Sequence, residues 1–116
     1  MKITQLHHQG ENIADNGGIK ESFRAYKKWV AKQQNSEPLL PGLDQYTPEQ
    51  MFFINYAQVW CLKATDQSMI NRIRTGVHSP GPFRTKGTTS NSREFAEAFK
   101  CKPKQNNNPE KKCAVW

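Results

Sequence analysis

Glu11 and Asp15 stand four residues apart, so on a helix both carboxylates share one side of a single turn. Acids so placed repel by about 0.2–0.5 kcal/mol on an open surface. A solvated acidic edge has this pattern. So does a metal site in which Glu11 is a ligand and Asp15 holds a neighbouring ligand from behind. Asn12, Ile13 and Ala14 between them favour neither. His78 and Arg84 lie in Val77-His78-Ser79-Pro80-Gly81-Pro82-Phe83-Arg84, a loop stiffened by two prolines. From such a loop both side chains can point into a cleft. In acyl-transfer chemistry an imidazole stabilises an oxyanion and a guanidinium anchors a carbonyl or carboxylate. A loop histidine followed by a surface arginine has the same spelling. His7 and His8 precede Glu11, with His8 and Glu11 facing the same way at i, i+3. Catalytic zinc needs three protein ligands and an open position, and these histidines adjoin an unpatterned stretch.

Cys61, Cys101 and Cys113 have no CxxC spacing and no adjacent histidine, which argues against metal binding by them. Disulfides suit them better and belong to an oxidising compartment. An odd count leaves at least one thiol free or paired outside the chain. Cys113-Ala114-Val115-Trp116 has the form of a prenylation box behind Lys111-Lys112, but tryptophan is not a usual final residue.

The elements that must position these residues belong to one domain at most, since the chain has 116 residues. Only 35% of them are apolar, a thin supply for a private core. There is no 18-residue apolar run and no basic-then-apolar signal sequence. Lys and Arg number 17 against 10 Asp and Glu, a net +7. Lys20, Arg24, Lys27 and Lys28 line one helical face, and Lys100, Lys102, Lys104, Lys111 and Lys112 crowd the tail. Nucleic-acid binding needs such a stripe for counterion release. It also needs base-reading groups, and no RNP, zinc-finger or helix-turn-helix pattern accompanies the lysines. A solvated face with no nucleic-acid partner is the expectation.

Helical spacing runs from Gly10 to about Gln34, with Phe23, Tyr26 and Val30 on one side and a weak point at Asn16-Gly17-Gly18. Residues 35–46 read as a loop. Thr47-Pro48-Glu49-Gln50 is a capping box with proline at the first helical position. The helix it opens, predicted to about Lys63, is apolar nearly all round and calls for burial on every face. Nothing else in the chain is large and apolar enough to surround it. A shorter helix is predicted from an Asp66 cap to Gly76, and a structured loop over 77–89. A last helix is predicted from an Asn91 cap, with Phe95 and Phe99 at i, i+4, ending at Pro103. Fold class is all-α, with four helices and no internal repeat.

Several segments together resemble one family. They are Gly10-Glu11-Asn12-Ile13-Ala14-Asp15-Asn16-Gly17-Gly18, Leu39-Leu40-Pro41-Gly42-Leu43, Phe52-Phe53, Ala57-Gln58-Val59-Trp60-Cys61, Val77-His78-Ser79-Pro80-Gly81, Phe83-Arg84 and Asn108-Pro109-Glu110-Lys111-Lys112-Cys113 with Trp116. In this order they look like the C-terminal end of the neprilysin and endothelin-converting-enzyme family of zinc metallopeptidases. The likeness covers about 10–116 and leaves 1–9 unassigned. It implies the mainly helical C-terminal part of a thermolysin-like catalytic domain, hydrolysing short peptides by a zinc-activated water. By the resemblance, Glu11 is the third zinc ligand and Asp15 supports a zinc-bound histidine. His78 stabilises the oxyanion and Arg84 holds the substrate carbonyl or terminal carboxylate. Val59 and Trp60 line the pocket for the side chain after the scissile bond, which prefers large apolar residues. Cys61, Cys101 and Cys113 pair with cysteines earlier in a longer chain. Location is extracellular or cell-surface, with a membrane anchor only in full-length relatives.

The departures from the family pattern carry as much weight. The His-Glu-x-x-His helix, which supplies two zinc ligands and the general base, is not in these 116 residues. Gly76 stands where relatives often have an aspartate two residues before the histidine. One of three ligands for a single zinc ion is thus present, and the upstream part of the same domain is the expected partner. Peptidase activity of this chain alone is not expected, and marginal folding is. The other reading is a truncated, non-enzymatic paralogue that binds peptides or a partner protein around Val59 and Trp60.

Overall fold

A computed structural model describes residues 8–114. His7, most of the unassigned 1–9 stretch, and Val115 and Trp116 lie outside the described residues. Among these residues there are five helices and no strand. The architecture is all-α as expected, with one helix more than the sequence reading supplies.

Helix α1, Gln9–Val30, runs unbroken through Asn16-Gly17-Gly18. Gly17 is buried inside it, so the expected weak point is a packing position. One stripe of α1 explains most of the fold: Asn12, Asp15 and Asn16 on its first half, then Ile19 and Phe23. The polar half bonds the segments that follow residue 78. The apolar half makes the core.

Helix α2, Pro48–Val59, begins where the capping box predicts. Thr47 Oγ1 accepts from Gln50 N, and Gln50 Oε1 accepts from Thr47 N. Gln50 also donates through Nε2 to Ala98 O at 2.9 Å, tying this start to a distant helix end. α2 stops at Val59, about a turn short of Lys63, with Trp60 as its C-cap. Only Phe53 on it is fully buried, at 2% exposure, whereas Val59 is 69% exposed. The apolar circumference read from the sequence is therefore covered on one side only.

Helix α3, Asp66–Thr75, is capped by Thr65, whose hydroxyl accepts from Ser68 N; Asp66 is the first helical residue and not the cap. No residue of α3 is buried.

Helix α4, Gly81–Asn91, occupies most of the segment expected to be a loop. Pro82 sits in its first turn, where a missing N–H has no consequence. Further along, Thr88 Oγ1 lies 2.8 Å from Arg84 O and Thr89 Oγ1 2.9 Å from Thr85 O. Ser90 Oγ lies 3.1 Å from Gly87 O. The hydroxyls are thus absorbed by the helix's own backbone. Helix α5, Arg93–Ala98, is capped by Ser92, which accepts from Phe95 N; the expected Asn91 cap is displaced by one residue. α5 closes well before Pro103 through a Schellman turn. Lys100 lies at φ 51°, Cys101 N donates to Ala96 O at 2.8 Å, and Lys100 N to Glu97 O at 3.1 Å.

The core is an aromatic stack joining α1, α2 and α5. Phe23 stacks on Phe53 at 5.0 Å and meets Phe52 edge-on at 5.2 Å. Phe53 meets Phe95 edge-on at 5.4 Å, and Phe95 lies 4.7 Å from Phe99. The predicted i, i+4 pair is thereby part of the core. Full burial, as at Phe23 and Phe53, contributes about 1.5–3 kcal/mol per ring. Lys27 and Glu49 form an ion pair beside the stack, and Arg24 pairs with Glu21 at 2.9 Å. Arg24 and Lys27 of the basic stripe are thus neutralised locally.

Candidate active site

The first two turns of α1 carry four polar attachments, at Glu11, Asn12, Asp15 and Asn16. Asn12 Oδ1 accepts from Ser79 Oγ at 2.9 Å. Asp15 accepts two bonds from Arg84, Nε to Oδ2 and Nη2 to Oδ1, both at 2.5 Å. Asn16 Oδ1 accepts from Asn91 Nδ2 at 3.0 Å, and Asn91 Oδ1 accepts from Cys113 N at 3.0 Å. Glu11 Oε2 lies 2.7 Å from His78 Nε2. The side of α1 that the acids mark thus receives the His78 loop, both ends of α4 and the tail.

The two acid–base pairs differ in burial. The Asp15 and Arg84 side chains are 12% and 14% exposed; those of Glu11 and His78 are 43% and 44% exposed. The Asp15 carboxylate, through its hydrogen bonds first and its charge after, raises the Arg84 pKa above its already high value. A guanidinium has five N–H donors. The fork onto Asp15 uses two, so Nη1 keeps both of its hydrogens for another acceptor.

Arg84 is also covered from above, with its Cζ 3.8 Å from the centre of the Trp60 ring. Trp60 in turn meets Tyr56 edge-on at 6.4 Å. Tyr56 Oη lies 3.1 Å from Thr88 Oγ1, and burial foremost raises the tyrosine's pKa. Gly81 permits the close approach, because a Cβ there would come within 2.6 Å of Trp60 O.

Of the residues singled out by sequence, Glu11, Asp15, His78, Arg84 and Trp60 form one continuous patch. Arg84 reaches it from a helix and not from the proline-stiffened loop expected to hold it. Val59, next to Trp60 in sequence, stands 69% exposed. His8 is buried at 7% exposure with Nδ1 unpartnered among the described residues. Cys61 and Cys113 are exposed, Cys101 is half-buried, and all three are free thiols. Gly76 lies at the end of α3, where a Cβ would come within 2.6 Å of Arg72 O. Asn12, Ser79, Tyr56 and Thr88 escaped the sequence reading. The signal for Asn12 was its i, i+3, i+4 register with Asp15 and Asn16. The other three carried none.

Among the described residues, no group of three His, Cys, Asp or Glu side chains is placed to hold a metal ion. A catalytic zinc takes three protein ligands. These residues alone do not fit one, although Glu11 has the donor chemistry for a single position. No described helix is long and apolar enough to cross a membrane.

Comparison with known proteins gives this patch its context. Neprilysin-2 of Caenorhabditis elegans is 50% identical over 116 residues, all of this chain and 16% of that protein. Neprilysin of Homo sapiens is 53% identical over 114 residues, 98% of this chain and 15% of that protein. A solved structure, the Haemonchus galactose containing glycoprotein complex, superposes with a TM-score of 0.90 at 40% identity over 95% of this chain and 19% of its own. The chain thus spans about one sixth of the curated relatives it matches. The sequence pattern described as Peptidase family M13 matches residues 2–115, nearly end to end, and it is to that family that this chain belongs.

Proposed function

We propose that residues 10–116 form the C-terminal segment of a neprilysin-like zinc metalloendopeptidase domain, the part that grips a peptide and its developing oxyanion. The observation that carries this reading is the pairing of Glu11 with His78 and of Asp15 with Arg84 from successive turns of one helix. Glu11 serves as one ligand of a zinc ion whose other two ligands, with the general base, come from outside these residues. When bound, the metal supplies activation of the attacking water. His78 stabilises the substrate oxygen as negative charge develops there, its Nε2 exchanging the contact with Glu11 for that oxygen. Arg84, locked by Asp15, donates from Nη1 to a carbonyl or terminal carboxylate of the peptide. Trp60, with Val59 beside it, lines the pocket for the residue after the scissile bond. Peptides are the substrates, and the cell surface or extracellular space is the location. There Cys61, Cys101 and Cys113 form disulfides with cysteines elsewhere in the full protein.

The test uses the native polypeptide and the 116-residue chain side by side, with short peptides carrying a large apolar residue after the cleaved bond. Chelator-sensitive cleavage by the native polypeptide, and none by the 116-residue chain, is the expected result. Arg84→Met in the native polypeptide raises KM about tenfold or more, as loss of a charged anchor requires. Chelator-sensitive cleavage by the 116-residue chain at full homogeneity would overturn the division of ligands. The exposure of Val59 and Phe83, at 69% and 67%, favours a second reading as a non-enzymatic peptide- or protein-binding module. Zinc-independent peptide binding without turnover by the native polypeptide would establish that one instead.

A further inference from the structure

We infer that Asn12 is a positioning residue for His78, acting through Ser79: the hydrogen bond between Asn12 and Ser79 sets where the imidazole stands beside α1. The inference rests on the reading of His78 as the group that stabilises the oxyanion. Glu11 and Asn12 are neighbours on α1, and His78 and Ser79 are neighbours on the segment that meets it. Each α1 residue takes one of them, Glu11 Oε2 at 2.7 Å from His78 Nε2 and Asn12 Oδ1 at 2.9 Å from Ser79 Oγ. The two contacts fare differently during the reaction. The first is given up when Nε2 turns to the substrate oxygen, and the His78 side chain has no other polar partner among the described residues. The second does not involve the ring, so it persists while the ring is at work.

The upstream side of His78 offers little hold. α3 buries no residue and ends at Thr75, Gly76 has no side chain, and Val77 is 55% exposed. Downstream the chain is fixed. Pro80 is the N-cap of α4, and its carbonyl accepts from Phe83 N at 2.9 Å. A residue before proline is confined to extended backbone, which limits Ser79 further. What stays free is the swing of the chain about Ser79, and the bond to Asn12 closes it one residue from the imidazole. Asn12 is a firm post for this purpose. Its carbonyl accepts from Asn16 Nδ2 at 2.7 Å, and Asn16 is tied to Asn91 of α4 at 3.0 Å. Successive Cα atoms are about 3.8 Å apart, so a shift at Ser79 passes to His78 with little loss. At a reacting centre, a misplacement of about 1 Å can cost about a hundredfold in rate.

The experiment compares Ser79→Ala, Ser79→Thr, Asn12→Ala, His78→Ala and the double variant Ser79→Ala/His78→Ala in the native polypeptide, with the short peptides described above. Ser79→Ala and Asn12→Ala each lower kcat about tenfold or more and leave KM within about threefold, because an oxyanion contact counts in the transition state. Ser79→Thr keeps the hydroxyl and stays within about threefold of the parent in kcat. In the His78→Ala background, Ser79→Ala adds nothing further. An undiminished effect there, or a rise in KM with kcat unchanged, overturns the inference while leaving His78 in its role. A His78→Ala variant with unchanged kcat removes the reading of His78 itself. Bound zinc per chain in Ser79→Ala equals that of the parent; its loss would mean that the bond holds Glu11 and not His78, and would overturn the inference. A readout independent of turnover is acylation of the His78 imidazole by diethyl pyrocarbonate, followed by mass spectrometry of the peptide that carries it. It is about threefold or more faster in Ser79→Ala and Asn12→Ala, where the segment opens more readily, and rates equal to the parent's would overturn the tether.

Discussion

Burial separates the two acid–base pairs of α1 into different kinds of interaction. Asp15 and Arg84 are almost wholly withdrawn from water and joined by two hydrogen bonds. Removing one partner strands the other charge, which typically destabilises by about 3–5 kcal/mol. Asp15→Asn is expected to fall in that range by urea unfolding of the native polypeptide. Asp15→Asn/Arg84→Met recovers part of the loss, because no bare charge is left behind. Glu11 and His78 stand nearly half in solvent, where an ion pair contributes about 0–1 kcal/mol. Glu11→Gln, unfolded with excess chelator so that metal-linked stability does not enter, is therefore expected to leave the unfolding midpoint almost unmoved. A loss of several kcal/mol there would show that Glu11 is held for stability and not for chemistry. The acids stood out by their spacing, but spacing alone left a solvated edge and a metal site both open, and their roles came from the family resemblance. Their partners were not readable, because Arg84 lies 69 positions from Asp15 and only the closed fold says which base meets which acid.

Between elements, the readable parts were those whose chemistry is local. The Thr47 box is complete within four residues and forms as spelled. Thr47→Ala is expected to lower stability by about 1 kcal/mol in urea unfolding. Helix α4 is the contrasting case. Gly81, Pro82 and Gly87 spell a loop, and Thr88, Thr89, Ser90 and Asn91 give no apolar period. What makes it a helix is its seat on α1, fixed by Arg84–Asp15 at one end and Asn91–Asn16 at the other. Its first residue is the sensitive point. Gly81→Ala places a methyl against the Trp60 carbonyl, a backbone atom that cannot step aside alone. The expected loss is about 1–3 kcal/mol. It comes with weaker peptide binding, because the start of α4 carries Arg84. Stability and KM both unchanged would mean that the α2–α4 junction is looser than the contact implies.

At the scale of the whole molecule the helices are too few for what they must cover. A monomer of this mass ordinarily exposes about 6,450 Å², and this chain exposes 9004 Å². Its radius of gyration is 16.1 Å, where about 13.4 Å is usual for the length. Among the described residues the buried apolar side chains are Ile19, Phe23, Phe53 and Ala96, while Leu40, Val59, Ile73 and Phe83 stand 45% exposed or more. α3 buries nothing. That shortage was readable from the all-round apolar α2, which the sequence left without enough partners. A core of this size leaves little margin over the conformational entropy of the ordered residues. The 116-residue polypeptide on its own is expected to melt over a broad, shallow transition by circular dichroism. The same residues inside the native polypeptide are expected to unfold together in one steep step. A sharp cooperative transition in the monomeric 116-residue chain would mean that the aromatic stack suffices, and that the exposed apolar residues serve binding and not folding.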